Sequence, residues 1–320
     1  MITRRRMLLS TVAMAAMTAL PTAVFAAART VAGIVFQQDQ YMKTVQAGLA
    51  AEAKSSGVEL LDANSDNKLE KETQLIDTYI ARGVQAITLT PLSAEGSIPA
   101  IKKAVDAGII VVTFGTTVNS DLPSASITSS DSDLGHNTGK EANAFLKKLA
   151  PGHKVKIATV AFKSLLAQQS NDRVNGFLAE VKDQVDIVSQ QDAWLTEKAI
   201  SVVSDILTAN PGIQLIYAAN EGGTIGAVQA VKKAGLEGKV FVFGIDGTEQ
   251  LANMLMDPDN VLQTVTAQQP FVVGTLAMKA VNDTLDKKPV QKKQNVPVLG
   301  LTRGNPDGIK AFLAQLKTLK

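Results

Sequence analysis

Gly83-Val84-Gln85-Ala86-Ile87-Thr88-Leu89-Thr90-Pro91 carries the repeating unit of this chain in one line. Gly83 closes a helical pattern, where a helix end favours a residue tolerant of positive φ. Residues 86–90 then form a β-branched, apolar run of strand length, and similar runs stand at 31–36 and 109–114. Strands apolar on both faces suit a parallel sheet covered by helices on each side. The helices between them show in two sets of apolar residues, each on one face. One set is Leu69, Ile76, Tyr79 and Ile80; the other is Ile98, Ile101 and Val105. Gly57 and Gly108 end their patterns as Gly83 does.

The scheme then starts again. Strands are predicted at 155–160, 185–189, 213–218 and 240–245, with crossover helices near 171–182, 196–209, 221–234 and 247–256. Two successive arrays predict an α/β protein of two doubly wound lobes with right-handed crossovers. The change of lobe is placed at 129–132, a Ser/Asp-rich segment before a helix at 134–149. The last sixty residues read as returns to the two lobes: a strand at 261–265, a helix at 271–285, a polar stretch at 287–295, a strand at 296–301 and a helix after Asn305-Pro306. The predicted division is 27–130 with 268–298 in the first lobe, and 131–267 with 299–320 in the second. Hinge segments are expected near 129–132, 264–268 and 298–301.

The N-terminus decides the expected compartment. Arg4, Arg5 and Arg6 precede an apolar stretch, and Val24 and Ala26 supply small residues where a signal peptidase reads. This pattern predicts a cleaved secretory signal over 1–26 rather than a membrane anchor, since no stop-transfer charges follow. Thr3-Arg4-Arg5-Arg6-Met7-Leu8-Leu9 resembles a twin-arginine export motif, so a periplasmic protein is expected. Without residues 1–26 the chain keeps 29 basic and 30 acidic residues, a net charge of −1. A nucleic-acid or anionic-membrane partner then lacks an electrostatic motive. With no cysteine and only His136 and His153, most zinc, copper and iron–sulfur sites are excluded. No metal or cofactor is expected.

No reacting constellation of an enzyme is present: there is no Gly-x-Ser-x-Gly elbow, His-Glu-x-x-His or Gly-x-Gly-x-x-Gly after a strand. Gly135-His136-Asn137-Thr138-Gly139-Lys140 is one residue short of a phosphate loop. Glu141 stands where magnesium needs Ser or Thr, so the segment reads as the opening of a helix. Polar and aromatic residues instead gather just past strand ends, the edge where open parallel sheets bind ligands. They are Asp39 and Tyr41, Thr90, Trp194, Asn220 and Asp246. Each has a structural alternative: Asp39 as a helix cap, Tyr41 as core, Asp246-Gly247 as a turn. Trp194, the single tryptophan, lies in a polar loop where a core role is less natural.

At these places the chain resembles the ribose-binding type of periplasmic sugar-binding protein, over essentially its whole length past the signal. The resemblance is carried by 83–91, by Ala107-Gly108-Ile109-Ile110-Val111-Val112, by Ile216-Tyr217-Ala218-Ala219-Asn220-Glu221 and by Val242-Phe243-Gly244-Ile245-Asp246-Gly247-Thr248. It implies two Rossmann-like lobes joined by a three-segment hinge, a non-catalytic role and delivery of a sugar or polyol to an ABC transporter permease. It also implies the site. Tyr41 matches an aromatic that stacks on the sugar, Met42 falls where a second aromatic is usual, and Asp39 replaces an amide. Thr90 and Ser130 match polar first-lobe and hinge positions. Arg173, Asn220, Asp246 and Gln268 match residues that grip hydroxyls, and Trp194 takes the second-lobe aromatic place. Gly115 and Thr116 stand where the ribose-type pattern has an adjacent Asp and Arg, which makes ribose itself a poor fit.

Asp39, Asp246 and Arg173 leave one negative charge in excess, so an amine-bearing polyol is one expectation, and Asp39 as a simple cap or hydroxyl acceptor the other. A monomer that closes on its ligand is expected. The competing classes are a sugar-sensing receptor or regulator on the same fold and an enzyme on this scaffold. A repressor would carry a basic helix-turn-helix where the signal stands.

Overall fold

The computed structural model describes residues 29–318. The signal and twin-arginine expectations for 1–26 lie outside the described residues. The first lobe runs β1 (Thr30–Val35), α1 (Gln40–Ser55), β2 (Glu59–Asn64), α2 (Leu69–Ala81), β3 (Ala86–Leu89), α3 (Ile98–Asp106), β4 (Ile110–Phe114) and β5 (Ala125–Thr128). The second runs α4 (Asp131–Leu149), β6 (Val155–Ala161), α5 (Ala167–Val181), β7 (Val185–Asp192), α6 (Thr196–Ala209), β8 (Ile213–Ala218), α7 (Glu221–Lys233), β9 (Phe241–Ile245), α8 (Glu249–Met256) and β10 (Leu262–Ala267). The chain then adds α9 (Pro270–Leu285), β11 (Lys293–Asn295), β12 (Leu299–Thr302) and α10 (Pro306–Thr318).

Two six-stranded sheets result, in the orders β11-β5-β4-β3-β1-β2 and β12-β10-β9-β8-β6-β7. Every pairing is parallel except β10 with β12. In both sheets the order reverses beside the first strand, between β1 and β3 and between β6 and β8. Such a switch point opens a crevice at the carboxyl ends of the strands. β1, β3 and β4 are almost wholly buried, as residues apolar on both faces require.

The chain passes between the sheets three times, at 129–130, 268–269 and 296–298. After the first passage α4 packs on α5 of the second lobe, and after the second α9 packs on α1 of the first. Both helix pairs approach at glycines. A Cβ at Gly274 would lie 2.1 Å from the Val45 carbonyl, and one at Gly135 2.1 Å from that of Arg173. The segment 135–140 therefore lies within α4, and its glycines serve helix contact.

Several elements differ from the sequence reading. The strand expected at 296–301 is shorter, β12 in the second sheet, and the polar stretch before it contributes an unexpected strand, β11, to the first. Residues 264–267 and 299–301, expected at the hinge, pair antiparallel in β10 and β12, and the sheet-to-sheet passages lie just outside them. β2 and β5 escape the apolar pattern, β2 because it is a half-exposed edge strand with Glu59 and Asp62 in it, β5 because it is short and alternates buried Ala125 and Ile127 with half-buried Ser126 and Thr128. Leu69 lies on the same face as Ile76 but is 38% exposed, because it is the first residue of α2.

Candidate ligand-binding site

The facing strand ends enclose a cavity of about 560 Å³, counted out to its solvent mouth. Eleven of the twelve residues singled out in the sequence line it: Asp39, Tyr41, Met42, Thr90, Gly115, Thr116, Arg173, Trp194, Asn220, Asp246 and Gln268. Ser130 does not. It is the N-cap of α4, and its hydroxyl accepts the Asp133 N–H at 3.1 Å, a local partner that claims it. The sequence reading missed Phe36, Gln37, Phe162, Leu165, Leu166 and Gln169. Phe36, Gln37 and Phe162 directly follow β1 or β6, so their place past a strand was a usable signal. Gln169 lies in the first turn of α5, which starts four residues before its apolar pattern does.

Each polar side chain is held by its element. Asp39 caps α1: Oδ1 accepts the Met42 N–H at 2.8 Å, and Oδ2 accepts from Gln37 Nε2. The structural alternative for Asp39 thus holds, beside its place in the wall. Burial raises its carboxyl above the ordinary value; the Met42 bond opposes this and the Asp246 charge adds to it. Asn220 caps α7 through Gly223 N–H and ties down the Trp194 carbonyl with its amide at 2.9 Å.

Asp246 has φ +82°, a left-handed conformation that costs a side-chain-bearing residue about 1–3 kcal/mol. That turn directs its carboxylate back over the second lobe. Oδ2 accepts the Glu221 N–H at 2.8 Å and Oδ1 accepts from Gln268 Nε2 at 2.8 Å. Gln268 Oε1 in turn accepts the Tyr41 hydroxyl at 2.9 Å. Arg173 donates from Nε to Asp131 at 2.8 Å and from Nη1 to the Ala219 carbonyl at 2.9 Å, and its guanidinium lies 5.1 Å from the Phe162 ring centre.

The lobes meet directly. Gln169 Nε2 donates to the Gly115 carbonyl at 3.0 Å, and the Tyr41 N–H donates to Glu221 Oε2 at 3.3 Å. One cluster of buried side chains runs from Val31 in the first lobe to Phe243 in the second. Three polar atoms of the cavity residues are buried without a hydrogen-bond partner among the described residues: Gln37 Oε1, Thr90 Oγ1 and Trp194 Nε1. A buried polar atom left so costs about 1–3 kcal/mol. An acceptor, a hydroxyl and a donor around aromatic and apolar walls match a ligand bearing several hydroxyls on an apolar ring. Among the described residues no group of three or more His, Cys, Asp or Glu could hold a metal ion.

Two parallel-sheet lobes closing on a polar cavity at their strand ends define a type I solute-binding protein. The chain belongs to the periplasmic binding protein domain family, whose profile matches residues 33–289. The ABC transporter periplasmic-binding protein YphF of Escherichia coli (strain K12) is 30% identical over 291 residues, covering 85% of this chain and 88% of that protein. The ribose import binding protein RbsB of Bacillus subtilis (strain 168) is 28% identical over 261 residues, covering 81% and 82%. A solved periplasmic solute binding protein of an ABC transporter from Actinobacillus succinogenes 130z, with bound D-allose, has a TM-score of 0.80 at 25% identity. The match covers 88% of this chain and 99% of that one. The family consists of substrate-binding proteins, not enzymes, and its name places them in the periplasm.

Proposed function

We propose that this protein captures a monosaccharide or related polyol between its lobes and delivers it to the permease of an ABC transporter. The observation that carries the reading is the cavity wall. Thr90 Oγ1 and Trp194 Nε1, one from each lobe, are buried and unpaired on the same space. Relatives named for ribose and allose binding support the ligand class. The eleven lining residues named from sequence are the proposed ligand contacts, with Gln37 and Gln169 added by the structure.

The chain is exported through residues 1–26, by the twin-arginine route, and acts as a monomer. Residues 27–130 with 268–298 move as one lobe and 131–267 with 299–320 as the other, bending at the three passages between sheets. A ligand that touches both lobes binds the closed state better and shifts the population toward it. Native mass spectrometry of protein purified without added sugar tests the function. A retained adduct of monosaccharide mass, displaced by a sugar panel and not turned over, is the expected result. Turnover of the bound sugar would replace this reading with an enzyme.

A further inference from the structure

Resting on the reading of the cavity as a polyol site, a count of its charges narrows the ligand. Two carboxylates line the wall, Asp39 and Asp246, against one guanidinium, Arg173. That guanidinium is committed to Asp131, Arg173 buried and Asp131 partly so, and the pair sums to about zero. Lys43 is exposed, and its pull on Asp39 is weaker than the push from Asp246.

Each lining carboxylate meets a helix N-terminus instead. Asp39 takes the Met42 N–H of α1, and Asp246 the first N–H of α7. A helix N-terminus offers about half a positive charge. Two carboxylates and two termini leave about one negative charge on the cavity wall. Glu221, which feels both carboxylates, cannot relieve it, being an acid itself. Thr90, 1% exposed, supplies the independent sign of a ligand at this place, since its hydroxyl lines the same space unpaired.

We infer that the ligand carries one cationic group, an ammonium on a monosaccharide-sized polyol, seated between Asp39 and Asp246. Each carboxylate oxygen already accepts one bond and keeps a lone pair, and an ammonium has three donors to share between them. In a closed, water-poor cleft an uncompensated carboxylate is costly, and the ammonium removes that cost at the moment of closure.

The test is calorimetric titration of the full chain, processed as the cell leaves it, with glucosamine and galactosamine beside glucose, galactose and ribose. Asp39→Asn is titrated in parallel. Asn caps a helix as well as Asp does, so this variant removes the charge and keeps the start of α1. Charge-assisted bonds exceed neutral ones enough for the amino sugars to bind about tenfold tighter than their neutral parents. Asp39→Asn should bring that ratio close to one. Neutral sugars binding as tightly as amino sugars, or a preference that survives Asp39→Asn, overturns the inference and leaves the polyol reading standing. Failure of both sugar classes to bind overturns the two together.

Discussion

The Tyr41 N–H, in the first turn of α1, donates across the cleft to Oε2 of Glu221, the first residue of α7, at 3.3 Å. One lobe thus places a carboxyl on a helix N-terminus of the other. Glu221 is 4% exposed. Burial, and then the Asp39 and Asp246 charges beside it, push its carboxyl up to about 8, against the bonds from Tyr41 and Thr248. In the unfolded chain the same proton leaves near 4.5. The stability this proton carries is therefore full below about 4.5 and is lost as pH rises to about 8. Thermal melts from pH 5 to 8.5 should show wild type falling relative to Glu221→Gln, whose side chain stays neutral. The gap should approach, on the order of, 4 kcal/mol. Parallel curves for the two proteins would mean that Glu221 is ionised throughout.

Asp246 and Arg173 should matter more to ligand affinity than the Tyr41 hydroxyl. Removing a buried charged partner costs roughly 2–5 kcal/mol in comparable interfaces, because the group it held is left unpaired. Tyr41→Phe keeps the ring and removes one neutral bond to Gln268, a loss of about 1 kcal/mol. Calorimetry on Asp246→Ala, Arg173→Ala and Tyr41→Phe with one bound sugar checks the ranking. Equal losses would remove the charged groups from the site.

Asp131 should act on stability through Arg173. Asp131→Ala leaves the buried guanidinium with the Ala219 carbonyl and only the more distant Asp246 charge in place of its hydrogen-bonded partner. Breaking such a pair costs about 3–5 kcal/mol. Urea unfolding measures it, and a midpoint within error of wild type would show that water reaches Arg173.

Gly135 links helix packing to the cavity. A Cβ there would meet the Arg173 carbonyl at 2.1 Å and the Phe177 nitrogen at 2.8 Å, backbone atoms that move only with α5. Gly135→Ala should lower stability by about 1–3 kcal/mol and also weaken ligand binding, since α5 carries Arg173 and Gln169. Unchanged affinity in a folded variant would show that α5 shifts without disturbing the wall.

Closure should be visible in solution. Small-angle scattering is expected to give a smaller radius of gyration at saturating ligand than without it. A profile unchanged by a ligand that calorimetry shows to bind would count against hinge motion.

Residues whose role follows from local pattern were legible before the fold. Val31, Ile87 and Val112 announce buried parallel strands because both faces of each strand are apolar; Thr90 and Asp246 follow strands directly, and Asp39 and Asn220 stand within four residues of a strand end. Ser130 shows the limit. It is polar and lies between β5 and α4, yet the Asp133 amide three residues on claims its hydroxyl. Side-chain direction at a helix start depends on φ and ψ, which the residue type does not reveal.

The sequence by itself determined the two β–α arrays, the strand-end edge that lines the cavity and the lack of cysteine and of clustered histidine. These depend on residue type and on spacing along the chain. Tertiary structure decided which atoms in that edge remain free. Arg173 matches by resemblance a residue that grips hydroxyls, and only the fold shows that Asp131, 42 residues away, pairs with it. Glu221 is read as a helix residue, but Tyr41, 180 residues away, makes it a bridge between lobes. Whether a charge is balanced depends on distances of a few ångström between segments remote in the chain, and only the fold sets those distances.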